Sequence, residues 1–171
     1  RRRQGTERFS PAGVLTSINT ILSERQLEEY YCTLCYAVFD FKRRTLALSN
    51  SGVPYPLQCR GTLNGEAESP RPTALSIPGV PLGLFQGTTY DELTVDLAPG
   101  GLFVFCTDGV HDASDPAGRS FGAERLEDVI QASCRKSAAE LVDDVFKAVL
   151  EFRGYANPND DMTVVALKLT S

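Results

Sequence analysis

Val14, Leu15, Ile18, Ile21 and Leu22 recur at three- and four-residue spacing behind Ser10-Pro11, which has the form of an N-cap followed by proline at the first helical position. This pattern predicts an amphipathic helix ending near Gln26. The period then changes. Residues 31–40 and 44–50 are rich in Tyr, Val, Phe, Leu and Thr and are separated by the polar turn Asp40-Phe41-Lys42-Arg43, the pattern of an antiparallel hairpin. A third strand is expected over Pro56 to Arg60. From Gly61 to Pro72 the composition shifts to Gly, Asn, Glu, Ser and Pro, and Asn64-Gly65 is a strong turn signal, so this stretch reads as an exposed connection.

Ile77-Pro78-Gly79-Val80-Pro81-Leu82-Gly83 mixes apolar residues with breakers and is expected to be an ordered loop packed on the core. Tyr90 to Leu97 alternates like a half-buried strand, and Pro99-Gly100-Gly101 is expected to turn it into the strand that ends at Asp108, as a second hairpin. Leu126, Val129 and Ile130 mark one late helix. Ser137 to Phe152 carries another, opened by the capping box Ser137-x-x-Glu140. A strand from Met162 to Leu169 closes the chain. Neighbouring strands, with one early and two late helical blocks, predict an α+β fold with antiparallel sheet and not a doubly wound parallel fold. No internal repeat is present.

The 171 residues suffice for one domain with a substantial core, so residues 1–171 are read as a single domain with a loose terminus over 1–9. An apolar fraction of 42% with 23% charged residues is that of a globular protein. The net charge of −5 disfavours nucleic acid as a partner, the Arg1-Arg2-Arg3 cluster belonging to the loose terminus. No apolar run approaches the roughly 18 residues of a membrane span, and the N-terminus lacks the apolar core of a signal peptide, so a soluble cytoplasmic protein is expected. The cysteines, Cys32, Cys35, Cys59, Cys106 and Cys134, are odd in number and sit mostly in apolar segments, which suits buried reduced thiols. Cys32 and Cys35 read C-x-x-C, but in a strand-like stretch positions i and i+3 face opposite sides.

The chemistry concentrates at two places. Phe103-Val104-Phe105-Cys106-Thr107-Asp108-Gly109-Val110 is a hydrophobic run that ends in a carboxylate, and Asp160-Asp161-Met162-Thr163-Val164-Val165 is its reverse image. If the two strands lie side by side, Asp108 and Asp160 converge on one hard cation, held rigidly by the sheet with their oxygens in solvent. The residues alone leave turn roles open for both, since Asp-Gly is a turn dipeptide and Asn159-Asp160 fits an Asx turn. Asp112 adds either a water-mediated ligand or a cap, and Asp115 raises the local acid density. Asp143-Asp144 reads as a solvated helix face. His111 is the lone histidine, which excludes a multi-histidine metal site and leaves little room for a histidine-based triad.

The series Thr107-Asp108-Gly109-Val110-x-Asp112-Ala113, Phe121-Gly122-x-Glu124-Arg125-Leu126 and Asp160-Asp161-Met162-Thr163 resembles the metal-dependent serine/threonine protein phosphatases of the PPM class. The bacterial branch represented by stage II sporulation protein E is the nearest in pattern. Asn50-Ser51-Gly52-x-Pro54, Gly79-x-Pro81-Leu82-Gly83 and Ser10-Pro11 leading to Ile18-Asn19 resemble the same branch, in the same order. The resemblance implies an α-β-β-α sandwich of antiparallel sheets flanked by helices, with two Mn²⁺ or Mg²⁺ ions at one edge. By motif, Asp108 and Asp160 are the implied metal ligands, Asp112 helps hold a weaker cation, Gly109 contributes adjacent backbone and Asp161 supports the site by hydrogen bonding. The implied reaction is hydrolysis by a metal-bridging water, without a phosphoenzyme. The implied substrate is a phosphoserine or phosphothreonine on a bacterial regulatory protein of the anti-sigma-factor-antagonist type. A sensor domain or a dimer partner commonly completes such proteins.

Two departures qualify the pattern. The family's upstream Gly-Asp-x-x-Gly motif, whose aspartate bridges both ions, has no counterpart here, so the N-terminal part of the domain is expected to be missing and ion binding to be weakened. Loss of the leading strands is also expected to expose a sheet edge. Val53 stands where the branch often has His. The competing reading is a catalytically inactive pseudophosphatase or regulatory binding module. A haloacid-dehalogenase-type phosphatase is disfavoured, because Cys106 occupies its nucleophile position and parallel βαβ alternation is absent.

Overall fold

The computed structural model describes residues 10–25, 31–60 and 71–170; the expected loose terminus over 1–9 and most of the expected connection from Gly61 lie outside the described residues. In chain order the elements are α1 (Pro11–Glu24), β1 (Cys35–Asp40), β2 (Thr45–Asn50), β3 (Leu57–Cys59), β4 (Thr73–Ala74), β5 (Leu93–Asp96), β6 (Leu102–Cys106), α2 (Asp108–His111), α3 (Gly122–Ser133), α4 (Ala138–Arg153) and β7 (Val164–Lys168). They fall into two compact units, one of residues 1–53 and 76–97, the other of residues 54–75 and 98–171.

The first unit sets α1 on a three-stranded antiparallel sheet of order β1-β2-β5. Ser10 caps α1 as expected, its hydroxyl accepting from the Gly13 N–H at 3.2 Å. The hairpin forms in the register Cys35↔Asn50 to Asp40↔Thr45. Its turn is fixed by the Asp40 carboxylate, which accepts from the N–H groups of Lys42 and Arg43. On α1 the buried stripe departs from expectation. Ile21 is 52% exposed, whereas Asn19 is fully buried beside Leu15. The carboxamide of Asn19 explains this: its Nδ2 donates to Phe85 O at 3.0 Å and its Oδ1 accepts from Gly83 N–H at 2.8 Å, so a polar side chain takes the core-facing position without losing hydrogen bonds. The loop from Ile77 to Gly83 packs inward as expected, through Ile77 and Leu82.

The second unit builds a four-stranded antiparallel sheet of order β4-β3-β6-β7 with α3 and α4 packed against it. Its core joins Leu57, Leu102, Val104 and Val110 to Leu126 and Ile130 of α3 and to Leu141, Val145 and Val149 of α4. Each such side chain contributes about 1.5–3 kcal/mol on burial. The capping box of α4 is present in both directions, Glu140 N–H to Ser137 Oγ and Ser137 N–H to Glu140 Oε2. Asp143 is exposed as expected, whereas Asp144 is half-buried. It accepts from Ser133 Oγ at 2.5 Å and from Lys136 Nζ at 2.6 Å, and so ties the end of α3 to α4. Two short elements, β4 and α2, were not anticipated from the sequence.

The second expected hairpin does not form. β5 pairs with β2, in the register Thr45↔Asp96 to Leu48↔Leu93, while β6 lies between β3 and β7. The turn at Gly100 is real, with Gly101 N–H donating to Ala98 O at 3.0 Å, yet the strands on either side of it enter different sheets. The reason lies in their faces. β6 is apolar along its whole length and suits a strand covered on both faces, whereas β5 alternates and suits one with a solvated face.

Candidate metal site at the ends of β6 and β7

Strands β6 and β7 are antiparallel neighbours, paired from Leu102↔Lys168 to Cys106↔Val164. The end of β6 therefore meets the beginning of β7, and the acid-bearing segments that extend them share one rim. Beyond the last ladder pair, the Thr107 N–H donates to Thr163 O at 3.1 Å. The chain then turns into the one-turn helix α2, whose first residue is Asp108. Asp112 closes that turn through its backbone, its N–H donating to Asp108 O at 2.8 Å.

Gly109 lets the two segments meet. A β-carbon at this position would lie 2.3 Å from Asp161 O and 3.5 Å from the carbonyl carbon of Asp160. Its φ is not in the left-handed region, so the requirement is space and not conformation. Asp108 and Asp160 are both exposed at this rim, and each turns one carboxylate oxygen to a following N–H: Asp108 Oδ1 accepts from Gly109 at 3.0 Å, Asp160 Oδ1 from Asp161 at 2.7 Å. Asp161 is also exposed, and its backbone carbonyl accepts from Thr107 Oγ1 at 3.3 Å.

Two side chains that sequence reasoning passed over join these segments. Thr107 Oγ1, besides donating to Asp161 O, accepts from the Thr163 N–H at 2.9 Å. Asn159 Nδ2 donates to Asp112 O at 2.7 Å and to Ser114 Oγ at 2.8 Å. Nothing local in the sequence signals either role, because each partner lies some 45 to 56 positions away.

Asp115 is buried, and its carboxylate accepts from the N–H groups of Ala117 and Arg119 and from the Arg119 side chain, which hold its pKa below the usual carboxylate range. Phe121 stacks edge-on to Phe152 at 5.5 Å, with the Arg125 guanidinium 4.7 Å above the Phe152 ring. The Phe121-to-Leu126 motif therefore shapes the packing of α3 against α4. Asn50 and Gly79 do the same in the first unit, where Asn50 Nδ2 donates to Val53 O and Ile77 O.

The Cys106 thiol is not activated as a nucleophile. Burial pushes the Cys106 thiol up to about 11, so it is protonated at neutral pH. The His111 ring nitrogen lies 3.5 Å from that sulfur, and burial holds the imidazole pKa below its ordinary value despite the nearby Asp112 and Asp108. What the rim offers is carboxylate and carbonyl oxygen. That is a hard donor set suited to Mg²⁺ or Mn²⁺, and Mg²⁺ typically takes one or two carboxylates and keeps several waters. Among the described residues, no three His, Cys, Asp or Glu side chains come together as a ready-made ion cluster, so Asp108, Asp160 and Asp112 do not converge as a triad. Among the described residues, no helix is long and apolar enough to cross a membrane.

Comparison with known proteins places this geometry in context. The family model for stage II sporulation protein E (SpoIIE) matches residues 2–170. Protein IcfG of Synechocystis sp. is 26% identical over 137 residues, which are 80% of this chain and 20% of that protein. The SiaA PP2C domain of Pseudomonas aeruginosa superposes with a TM-score of 0.78 at 21% identity, covering 94% of this chain and 61% of that one. The PP2C phosphatase domain of SpoIIE from Bacillus subtilis, solved with a fragment of its regulatory domain, gives a TM-score of 0.73 at 21% identity, covering 92% and 44%. The same phosphatase domain presoaked with Mn gives 0.66 at 18% identity, covering 91% and 65%. The chain spans less than two thirds of the length of each of these relatives. The structural likeness is one of fold, and the helices with antiparallel sheet are those the sequence pattern predicted and the family resemblance implied.

Proposed function

The chain belongs to the stage II sporulation protein E family, and from that premise we propose that it is a metal-dependent phosphoserine/phosphothreonine protein phosphatase domain. Its proposed substrate is a bacterial regulatory phosphoprotein of the anti-sigma-factor-antagonist type, met in the cytoplasm. In this reading residues 1–171 act as one domain. The observation that carries the reading is the pairing of β6 with β7, which sets the Asp108 and Asp160 segments on one exposed rim.

Asp108 and Asp160 would hold the divalent ion, with Mn²⁺ or Mg²⁺ favoured by an all-oxygen donor set; the Mn-presoaked form of the SpoIIE relative supports the same class of ion. When bound, the ion supplies a lowered pKa for water and positive charge for the phosphate oxygens. Without it, the carboxylates at this rim repel a phosphate dianion, so metal dependence follows from the charges of the chain itself. Because the carboxylates are exposed, a phosphorylated side chain on another protein can reach them without a lid opening. Cys106 stays a neutral thiol beside His111, so it does not compete as a nucleophile.

The second reading is a binding module that recognises a phosphoprotein without hydrolysing it. The lack of a three-group acid cluster among the described residues favours it. Hydrolysis of para-nitrophenyl phosphate separates the two. Turnover that requires Mn²⁺ and vanishes in Asp108→Asn is the expected result, and turnover that is absent, or unchanged by the substitution, overturns the phosphatase reading of this chain.

A further inference from the structure

We propose that Thr107 and Asn159 are positioning residues that hold the two acid-bearing segments together on one rim before any ion arrives. The inference rests on the metal-site reading above. Its starting point is an electrostatic problem: Asp108 and Asp160 sit on one rim, with Asp112 and Asp161 exposed beside them, and like charges gathered this way push their segments apart. The backbone resists only part of this, because the paired register of β6 and β7 ends at Cys106↔Val164 and the one further bond, Thr107 N–H to Thr163 O at 3.1 Å, still stops short of every one of these acids.

Side-chain bonds carry the connection past that point. Thr107 Oγ1 uses both of its capacities across the gap, accepting from the Thr163 N–H at 2.9 Å and donating to Asp161 O at 3.3 Å. It thereby fixes the peptides on both sides of Met162 relative to the residue preceding Asp108. Asn159 works from the other side of Asp160. Its Nδ2 donates both its protons, to Asp112 O at 2.7 Å and to Ser114 Oγ at 2.8 Å, and Ser114 Oγ itself donates to Asp112 O at 3.0 Å. Asp108 and Asp160 thus each lie next to a bracketed residue, with the closely approaching Gly109 between the two brackets. Neither Thr107 nor Asn159 needs to touch the ion. Outer partners of this kind orient metal-binding carboxylates, and their loss typically weakens metal affinity about 10–100-fold.

The test is a Mn²⁺ titration of the chain, followed by the electron paramagnetic resonance signal of free Mn²⁺, on wild type, Asp108→Asn, Thr107→Val, Thr107→Ser and Asn159→Ala. The melting temperature of each ion-free protein is measured alongside. Thr107→Val and Asn159→Ala are expected to raise the Mn²⁺ Kd about 10–100-fold with the ion-free fold intact. Thr107→Ser, which keeps the hydroxyl, is expected to bind as wild type does, and the Thr163 amide is expected to exchange faster with solvent in Thr107→Val alone. Should Thr107→Val fail to fold, Asn159→Ala carries the test, since its bonds lie wholly in loops. An unchanged Kd in the folded bracket variants, with binding lost in Asp108→Asn, overturns the positioning role and leaves the ion site standing. Binding that survives Asp108→Asn, or is absent from wild type at millimolar Mn²⁺, overturns the ion site and this inference together.

Discussion

Gly109 and Asp161 approach so closely that a β-carbon on the glycine would meet the Asp161 carbonyl oxygen at 2.3 Å. The contact is between two backbones, so no flexible side chain can swing away to relieve it. Gly109→Ala must push the Asp161–Met162 peptide off the rim, at a cost of about 1–3 kcal/mol for forced overpacking. A lower urea midpoint, together with a larger loss of Mn²⁺-dependent hydrolysis than the stability change accounts for, is the expected result.

Asn50 is the corresponding fixed point of the first unit. Its Nδ2 donates to Val53 O at 2.9 Å and to Ile77 O at 3.3 Å, and its Oδ1 accepts from Val53 N–H at 3.1 Å. Gly79 passes directly over it, with space for no β-carbon. Asn50→Leu preserves volume but strands these groups, at about 1–3 kcal/mol for each one left unsatisfied. Val53→His, by contrast, is expected to leave stability nearly unchanged, because Val53 contributes its backbone to this loop; urea unfolding of the two variants distinguishes the cases.

Asp115 gives the second unit a defined acid response. The Arg119 and Ala117 N–H groups and the Arg119 guanidinium depress its folded pKa. A carboxylate whose folded pKa lies below its unfolded value, about 3.9, contributes stability that is full above that value and is lost as pH falls toward the folded pKa. Urea midpoints measured from pH 5 down to pH 2 should therefore fall, and Asp115→Asn should flatten the decline. A variant that retains the full slope would remove Asp115 from the account.

The cysteines should react in an order set by burial. Cys32 is exposed, Cys35 is half-buried with its thiol pushed up to about 11, and Cys59 and Cys106 are buried with theirs pushed up to about 12 and about 11. Iodoacetamide at neutral pH is expected to label Cys32 first, and to label Cys59, Cys106 and Cys134 only as the protein unfolds. Mass-resolved labelling against urea concentration checks this, and early modification of Cys106 would contradict its place behind the rim.

Much of the secondary structure was legible because its signals are local. Ser10-Pro11 and the Ser137–Glu140 box announce the starts of α1 and α4 through hydrogen bonds that span three residues. Asp40 announces its turn in the same way. The apolar run of β6 and the acids at its end were equally plain. Misreadings arose where a polar side chain was judged by its helical neighbours alone. Asp144 read as part of a solvated helix face and Asn19 lay outside the apolar stripe read for α1, yet both find partners across the fold, in Ser133 and Lys136 and in Gly83 and Phe85.

The amino-acid order by itself determined the longer helices and strands, though not the short β4 and α2, and that carboxylates stand at the ends of two hydrophobic runs, because caps, turns and periodicity act within a few residues. Only the tertiary structure decided that β5 joins β2 and not β6, that β6 and β7 are neighbours, and that Thr107 and Asn159 bracket the acids between them. Strand partners are chosen by which faces and edges must be covered once the chain has collapsed, and that choice depends on segments too far apart in sequence to leave a local pattern.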